Sequence, residues 1–360
     1  MNNSYIGILV NNETFRTIPS GRTGFEHLPF YEEAGKEYGI IPCFLRLQDI
    51  VPGERTVRAY VKNKSNHYVK KLVPVPKVIH NRAIFRTVPH NKKIQQLIDG
   101  GIIIFNKRNR YSKLEIHELL SQKSEFLPHL PMTMKANQKN ILQMLKRCDS
   151  LIVKPERGGL GNGVMLINKM EDGYLWTFRN RKTGKYNRTL FGKELPKELA
   201  RLLSKRPYLV QERISLATFQ GNPFDLRVSV QMNGSGRWQV TGMVGKVASD
   251  GNYVTNIAMG GKAYPLDILL KKNNLNKAKV YKAVENFSIR AAKRLSAQIE
   301  GLSDLGFDIG LTGEGFPMFI ECNARDHRIT FKNAKLESVW RATHTTPMGY
   351  ASFLLKNVKG

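Results

Sequence analysis

With 360 residues, 41% of them apolar, the chain is long enough for two or three packed units and too apolar for wholesale disorder. Lys and Arg number 57 against 29 Asp and Glu, a formal +28 that calls for an anionic partner or serves only solubility. No apolar run approaches the roughly 20 residues of a bilayer span, and no zinc-finger, homeodomain or RNP-type pattern accompanies the basic residues, so neither membrane nor nucleic acid is the expected partner.

The first residues carry no basic n-region or cleavage site and predict a strand over 5–10, not a signal peptide; the scattered cysteines make a reducing cytoplasm the default compartment. A helix over 25–38 ending near Gly39, a strand over 40–46 and a stiff Val73-Pro-Val-Pro76 connection follow. With short strands near 77–80 and 102–105, they predict a small α/β unit. Helices are expected over 113–121 and 137–147, the second with Asn137 as N-cap and Ile141, Leu142 and Leu145 at helical spacing. Short strands at 151–153 and 164–167 flank a glycine-rich turn. A strand at 174–178, a helix over 194–204 and a strand over 208–211 come next. Strands 224–232 and 238–247 form a hairpin around Asn233-Gly-Ser-Gly236. A helix over 277–300 presents Val280, Val284, Phe287, Ala291 and Leu295 on one face, and strands over 306–309 and 316–321 come last. Basic residues are densest at 107–113 and 179–188. The scattered Cys43, Cys148 and Cys322 support neither a disulfide framework nor a zinc site.

Three segments carry chemistry. Lys154-Pro-Glu-Arg-Gly-Gly-Leu-Gly-Asn-Gly163 lets backbone N–H groups approach an anion, so it is either a phosphate nest beside Lys154 or a flexible hairpin. It is not a Walker A loop, since no Gly-Lys-Ser/Thr follows and a strand comes next. In the strand 224–232, Leu226, Val228, Val230 and Met232 share one face, while Asp225, Arg227, Ser229 and Gln231 share the other. That polar face is either solvent-exposed or the floor of a cleft, with Arg227 aimed at a phosphoryl group. Simple parity groups Lys246 with Val240 and Val244, so it needs a bulge or the strand end to reach such a cleft. At the end, period two puts Glu321 and Asn323 on one side of a strand, and antiparallel pairing brings Asp308 beside Glu321. Three oxygen ligands suit Mg²⁺; the alternative is a capped turn with solvated acids. Cys322 points the opposite way, as a small core residue.

Taken in order, Lys113 at a helix start, Val153-Lys-Pro155 with its glycine loop, Val210-Gln-Glu-Arg-Ile214, Asp225-Leu-Arg227, Thr255-Asn256 with Gly260-Gly261, and Asp308 with Glu321-Cys-Asn323 resemble the ATP-grasp superfamily. Within it, Arg22-Thr-Gly-Phe25, residues 220–228, Trp238-Gln-Val-Thr-Gly242 and residues 254–261 are similar to the YheC/YheD endospore coat-associated family over most of the chain. The resemblance implies an α+β fold: two lobes clamping ATP, preceded by a small α/β pre-ATP-grasp domain. The expected divisions are 1–106, then 107–206 with the glycine-rich loop, then 207–360 with the metal site.

The resemblance further implies that Lys113, Lys154, Gly158, Gly159 and Gly161 bind phosphates and that Gln211, Glu212, Arg213 and Ile214 hold adenine. Arg227 and Asn256 would face the transferred phosphoryl group, with Lys246 a third catalytic residue at a position where arginine is frequent. Asp308, Glu321 and Asn323 would hold one or two Mg²⁺. The implied reaction joins a carboxylate substrate to an amine acceptor through an acyl phosphate, in the mother-cell cytoplasm or the spore coat. The alternative is an ATP-binding coat-assembly component without turnover. The positive charge adds, from this chain alone, an acidic peptide or protein as the expected acceptor. After Asn323, Ala324-Arg-Asp-His-Arg328 replaces the small residues and Pro-Gly common in such ligases. This segment is expected to touch the acceptor, whose identity is therefore not carried over.

Overall fold

The computed structural model describes residues 4–180 and 182–357, so Arg181, inside the second basic stretch, lies outside the described residues. Eighteen strands among these residues make three six-stranded sheets.

The first sheet contains β1 (Ser4–Leu9), β2 (Ile40–Leu45), β3 (Thr56–Lys62), β4 (Tyr68–Pro74), β5 (Val78–Asn81) and β6 (Ile103–Phe105), in the order β4-β3-β2-β1-β5-β6. β1 is parallel to both neighbours, and its near-continuous apolar run is what a parallel strand covered on both faces requires. The helix Leu28–Tyr38 covers one face through Leu28, Tyr31 and Ala34; the helix Val88–Asp99 covers the other through Ile94 and Leu97. That helix and the β3–β4 hairpin escape the sequence reading. β4 is an edge strand with Lys70, Lys71 and Leu72 exposed, and edge-protecting lysines erase the alternation that announces a strand.

The second sheet orders β11 (Tyr186–Phe191), β10 (Gly173–Arg179), β9 (Met165–Met170), β8 (Ser150–Pro155), β12 (Tyr208–Glu212) and β7 (Thr133–Lys135). Its core joins Val153, Ile167, Trp176 and Val210 to the helices Gln138–Leu145 and Lys197–Lys205. Asn137 caps the first of these, accepting the Asn140 N–H at 2.8 Å, as its sequence position predicts.

The third sheet runs β16 (Lys262–Tyr264), β15 (Trp238–Val247), β14 (Asn222–Met232), β17 (Asp304–Leu311) and β18 (Pro317–Asn323), with β13 (Thr218–Phe219) paired to β14. The helix Lys277–Ser296 buries its predicted face against Leu226, Val228 and Val230. The opposite, polar face of β14 is neither surface strand nor cleft floor along its whole length. Ser229 and Gln231 have no exposure, because the 21-residue helix Glu337–Asn357 lies over them. That helix has no clear sequence signal: Pro347 and a run of threonines break its pattern, and burial of Trp340, Thr343, His344 and Met348 supports it instead. It also packs on Leu28–Tyr38 through Met348 and Ala351, tying the first sheet to the third. Among the described residues no helix is long and apolar enough to cross a membrane.

Candidate functional site

The second and third sheets wall a cavity of about 560 Å³. Lys113, Lys154, Gly158, Gly159, Gly161, Gln211, Glu212, Arg213, Ile214, Lys246, Asn256, Asp308 and Glu321 line it; Arg227 and Asn323 stand behind the lining. Residues brought together here come from segments more than 200 positions apart in sequence, from Lys113 to Glu321.

One wall is cationic. Ser112 caps the helix Lys113–Ser121 in a reciprocal capping box with Glu115, and its hydroxyl donates to Glu156 at 2.5 Å. This fixes Lys113 at the helix start, where its Nζ donates to the Gly158 carbonyl at 2.8 Å and lies 3.3 Å from Glu321. Lys154 sits in β8 with Nζ donating to Gln211 at 2.7 Å and to the Ile320 carbonyl at 3.2 Å. Burial pushes its pKa down to about 8, with Lys113 adding to the effect and Glu321 opposing it. Gln211 in turn donates to Thr133 at 2.7 Å, which makes it an orienting residue for Lys154. The loop between β8 and β9 turns through left-handed backbone at Leu160, Gly161 and Gly163. At Gly161 a Cβ would meet Val254 and Met259 at 2.9 Å, so glycine is required by both φ and space.

The facing wall is acidic. Asp308 on β17 pairs with Glu321 on β18, and Gly306 pairs with Asn323; a bulge at Ile320 keeps this register. Asp308 Oδ1 accepts from Arg227 Nε at 2.8 Å and from Lys246 Nζ at 2.9 Å. Burial alone would raise the Asp308 pKa, but these two cations hold it well below the usual carboxylate range. Lys246 also pairs with Asp225 at 3.0 Å, and Thr255 donates to the same carboxylate at 2.5 Å.

Lys246 corrects the parity expectation. Ser229 pairs with Gly242 and Val230 with Val240, leaving Thr241 as an extra residue in β15. The bulge separates Val240, which packs on the apolar core, from Val244 and Lys246, which share the Asp225 and Arg227 face. Asn256 caps the turn Ile257–Met259 with its side-chain oxygen and lines the cleft.

The donor set fits a hydrated Mg²⁺. Both cation contacts of Asp308 fall on one oxygen, leaving the other open, and Glu321 stands across the strand pair with Asn323 two residues further along the same side of the strand. Two carboxylates and an amide leave room for phosphate oxygens, which is how Mg²⁺ is held at nucleotide sites. Among the described residues no three His, Cys, Asp or Glu side chains form an all-protein metal cage.

The segment 325–328 does not present itself whole to an acceptor. Asp326 and Arg328 are fully buried, whereas Arg325 and His327 are half-buried on the alternate side. Asp326 accepts from Arg227 Nη1 at 2.8 Å and from Ser229, so it holds Arg227 in place. Arg328 pairs with Asp304 at 2.5 Å. Asp225 and Asp326 are site residues that the sequence reading left unassigned. Asp225 alone had a signal, its place on the polar face of β14.

A family profile described as YheC/D like ATP-grasp matches residues 101–354. The endospore coat-associated protein YheD of Bacillus subtilis (strain 168) is 26% identical over 302 residues, covering 81% of this chain and 66% of that protein, so this chain spans just under two thirds of YheD. YheC of the same organism is 24% identical over 302 residues, covering 81% of this chain and 82% of that protein. Among solved structures, the ATP-grasp ligase PsnB, complexed with a phosphomimetic variant of its minimal precursor, Mg and ADP, aligns with a TM-score of 0.55 at 14% identity over 99% of this chain and 100% of that one. The VanG D-Ala:D-Ser ligase from Enterococcus faecalis aligns with a TM-score of 0.52 at 13% identity over 97% and 100%. The α+β architecture is therefore the ATP-grasp fold, and the chain belongs to the YheC/D-like ATP-grasp family.

Proposed function

We propose that this chain is an ATP-dependent carboxylate–amine ligase, and one observation carries the reading. Two lysine amines beside a glycine-rich loop line one cavity together with two carboxylates, Lys113 lying 3.3 Å from Glu321, the charge pattern of a site for a metal-chelated polyphosphate. In this reading Lys113, Lys154 and the backbone of Gly158, Gly159 and Gly161 hold phosphates, and residues 211–214 hold adenine. Asp308, Glu321 and Asn323 hold one or two Mg²⁺, which supply charge neutralisation for the phosphates. The substrate carboxylate attacks the γ-phosphorus, ADP leaves with the bridging electron pair, and an acyl phosphate forms. The acceptor amine then attacks the carbonyl carbon, phosphate leaves, and the amine proton passes to solvent. Arg227 and Asn256 serve the transferred phosphoryl group, with Lys246 supporting them through Asp308. The loop closing over the cleft keeps water from the acyl phosphate.

The divisions 1–106, 107–206 and 207–360 belong to this proposal, as do an acidic peptide or protein acceptor and a site of action in the mother-cell cytoplasm or spore coat. The names of YheD and YheC support the coat, and the +28 charge supports the acidic acceptor. A non-catalytic coat-assembly role has one observation on its side: the contacts of Arg227 to Asp308 and Asp326 leave it behind the cavity lining.

ADP release from Mg²⁺-ATP with pooled amino acids and acidic peptides, followed by mass spectrometry of products, separates the two. Ligation predicts a new amide product and a loss of at least about 100-fold in Glu321→Ala and Lys154→Ala, which corresponds to about 2.7 kcal/mol. ATP binding with no acceptor-stimulated release supports the coat-assembly role and sinks the ligase.

A further inference from the structure

A second cavity, of about 1100 Å³, lies behind the glycine loop. Gly161, Asn162 and Val164 of the loop line both cavities, as does Val254 from the third sheet's 253–259 segment. On the other side stand four exposed cations, Arg179 and Lys182 from the β10–β11 hairpin and Lys205 and Arg206 at the end of the helix Lys197–Lys205, against one carboxylate, Glu198. Arg179 Nε donates to the Gly184 carbonyl at 2.9 Å and Arg206 donates to Tyr208 at 2.8 Å. Among the described residues none of the four has a carboxylate within 4.0 Å. Phe178, Leu202 and Met259 fill the wall between them.

The cavity spans both lobes and touches what encloses the nucleotide cleft. Tyr186 donates to Asn252 at 2.6 Å, Tyr253 donates to the Val164 carbonyl at 3.2 Å, and Arg179 reaches the Met259 sulfur at 3.4 Å. Gly163 packs so closely on Arg206 that a Cβ there would lie 2.8 Å from its guanidinium. An anion drawn onto Arg179 and Arg206 therefore acts on the glycine loop from outside, while phosphates act on it from inside.

We propose that this cavity docks an acidic segment of a polypeptide and that docking is coupled to nucleotide binding through the glycine loop. The volume, about 1100 Å³, lies just past the upper end of the roughly 300–1,000 Å³ of small-molecule pockets and has room for a short stretch of chain. Free cations interleaved with apolar side chains suit a segment that carries both carboxylates and apolar groups, whereas a nucleic-acid backbone would leave the apolar wall unfilled. This inference goes beyond the ligase reading and does not depend on turnover: a chain that releases no ADP would still bind the segment.

The test is fluorescence anisotropy of a labelled peptide of about ten alternating Glu and Leu residues with the full chain, at the physiological ionic strength of about 0.15 M. It is run with and without Mg²⁺ and a non-hydrolysable ATP analogue. Binding should weaken at least tenfold in Arg179→Glu/Arg206→Glu, strengthen severalfold in Glu198→Lys, and stay unchanged in Lys271→Glu/Lys272→Glu, a distant exposed pair. Nucleotide should tighten peptide binding severalfold, and peptide should tighten nucleotide binding by the same factor. Equal losses in both double variants overturn the site. So does displacement of the peptide by single-stranded DNA of matching charge at equal concentration. Identical affinity with and without nucleotide overturns the coupling.

Discussion

Asp304 and Asp308 lie four residues apart on one face of β17, both buried and both ion-paired, yet they belong to different kinds of site. Asp304 is saturated. Its Oδ1 accepts from Gln231 at 2.8 Å, and its Oδ2 faces His80 at 3.1 Å, Arg82 at 3.2 Å and Arg328 at 2.5 Å. Arg82 and Arg325 also pair with the buried Glu26, at 3.0 and 3.5 Å, so two carboxylates meet three guanidinium groups, and burial pushes the His80 pKa down to about 4, leaving it neutral. Asp308 keeps valence in reserve. Three carboxylates, Asp225, Asp308 and Asp326, share two cations, Arg227 and Lys246, and the side chain of Asp308 retains 9% exposure on a cavity while that of Asp304 has none. A buried carboxylate with both oxygens engaged locks a fold; one with a lone pair left free at a cavity wall is positioned to receive a ligand.

The largest expected effect follows from breaking the closed side. Asp304→Ala strands the fully buried guanidinium of Arg328, which among the described residues keeps only the Tyr31 hydroxyl, and leaves Arg82 with Glu26 as its carboxylate partner. It should cost about 3–5 kcal/mol in urea unfolding, whereas Asp308→Asn should cost clearly less, because Arg227 retains Asp326 and Lys246 retains Asp225. Nucleotide binding should respond in the opposite order among folded variants, with Asp308→Asn abolishing the Mg²⁺ dependence of ATP affinity. Equal urea losses in the two variants would erase the distinction.

The sequence displays these two aspartates unequally. Asp308 is legible because its partner Glu321 is reached by one strand pairing and because Lys154, the glycine loop and Arg227 stand in a familiar order upstream. The closed network is illegible because His80 and Arg82 reach Asp304 from more than 200 positions away and Glu26 reaches Arg82 from 56, with no local period to mark them. The first and second sheets' central strands showed themselves by apolar runs. The lysine-bearing edge strand β4 and the Pro347-containing C-terminal helix did not, since tertiary burial and not local propensity sustains them. Lys246 shows the same limit at single-residue scale: one bulge, invisible in the alternation, changes the face it occupies.

Within the open site, a smaller effect separates two glycines of one loop. Gly161→Ala must place a Cβ 2.9 Å from Val254 and Met259 at φ +71°, which should displace the loop and weaken ATP binding about tenfold, or about 1.4 kcal/mol. Gly159→Ala meets nothing within 4 Å and should leave loop packing intact. Calorimetric titration of both variants with ATP distinguishes a loop held by packing from one that is merely flexible, for which both substitutions would act alike.

The smallest effect is a fraction of a proton, and it also divides the two regions. Lys154, pushed down to about 8 by burial, is partly neutral at pH 8.5 in the nucleotide-free protein. Phosphates beside it favour the ammonium form, so ATP binding at that pH should take up protons, and affinity should fall by up to about tenfold per pH unit above 8. Stability runs the other way: with a folded pKa below the ordinary lysine value, the unfolded chain binds more protons across the window from about 8 to about 10.4, and this residue adds stability as pH rises through it. His80 contributes nothing in that range, because it is already neutral there; Tyr31, whose pKa burial raises, acts only towards the top of the window and with the opposite sign. Titrations in two buffers of different ionisation enthalpy measure the uptake, which should vanish at pH 6.5 and in Lys154→Gln. Uptake that persists in Lys154→Gln would assign the proton to another group and remove Lys154 from the phosphate site.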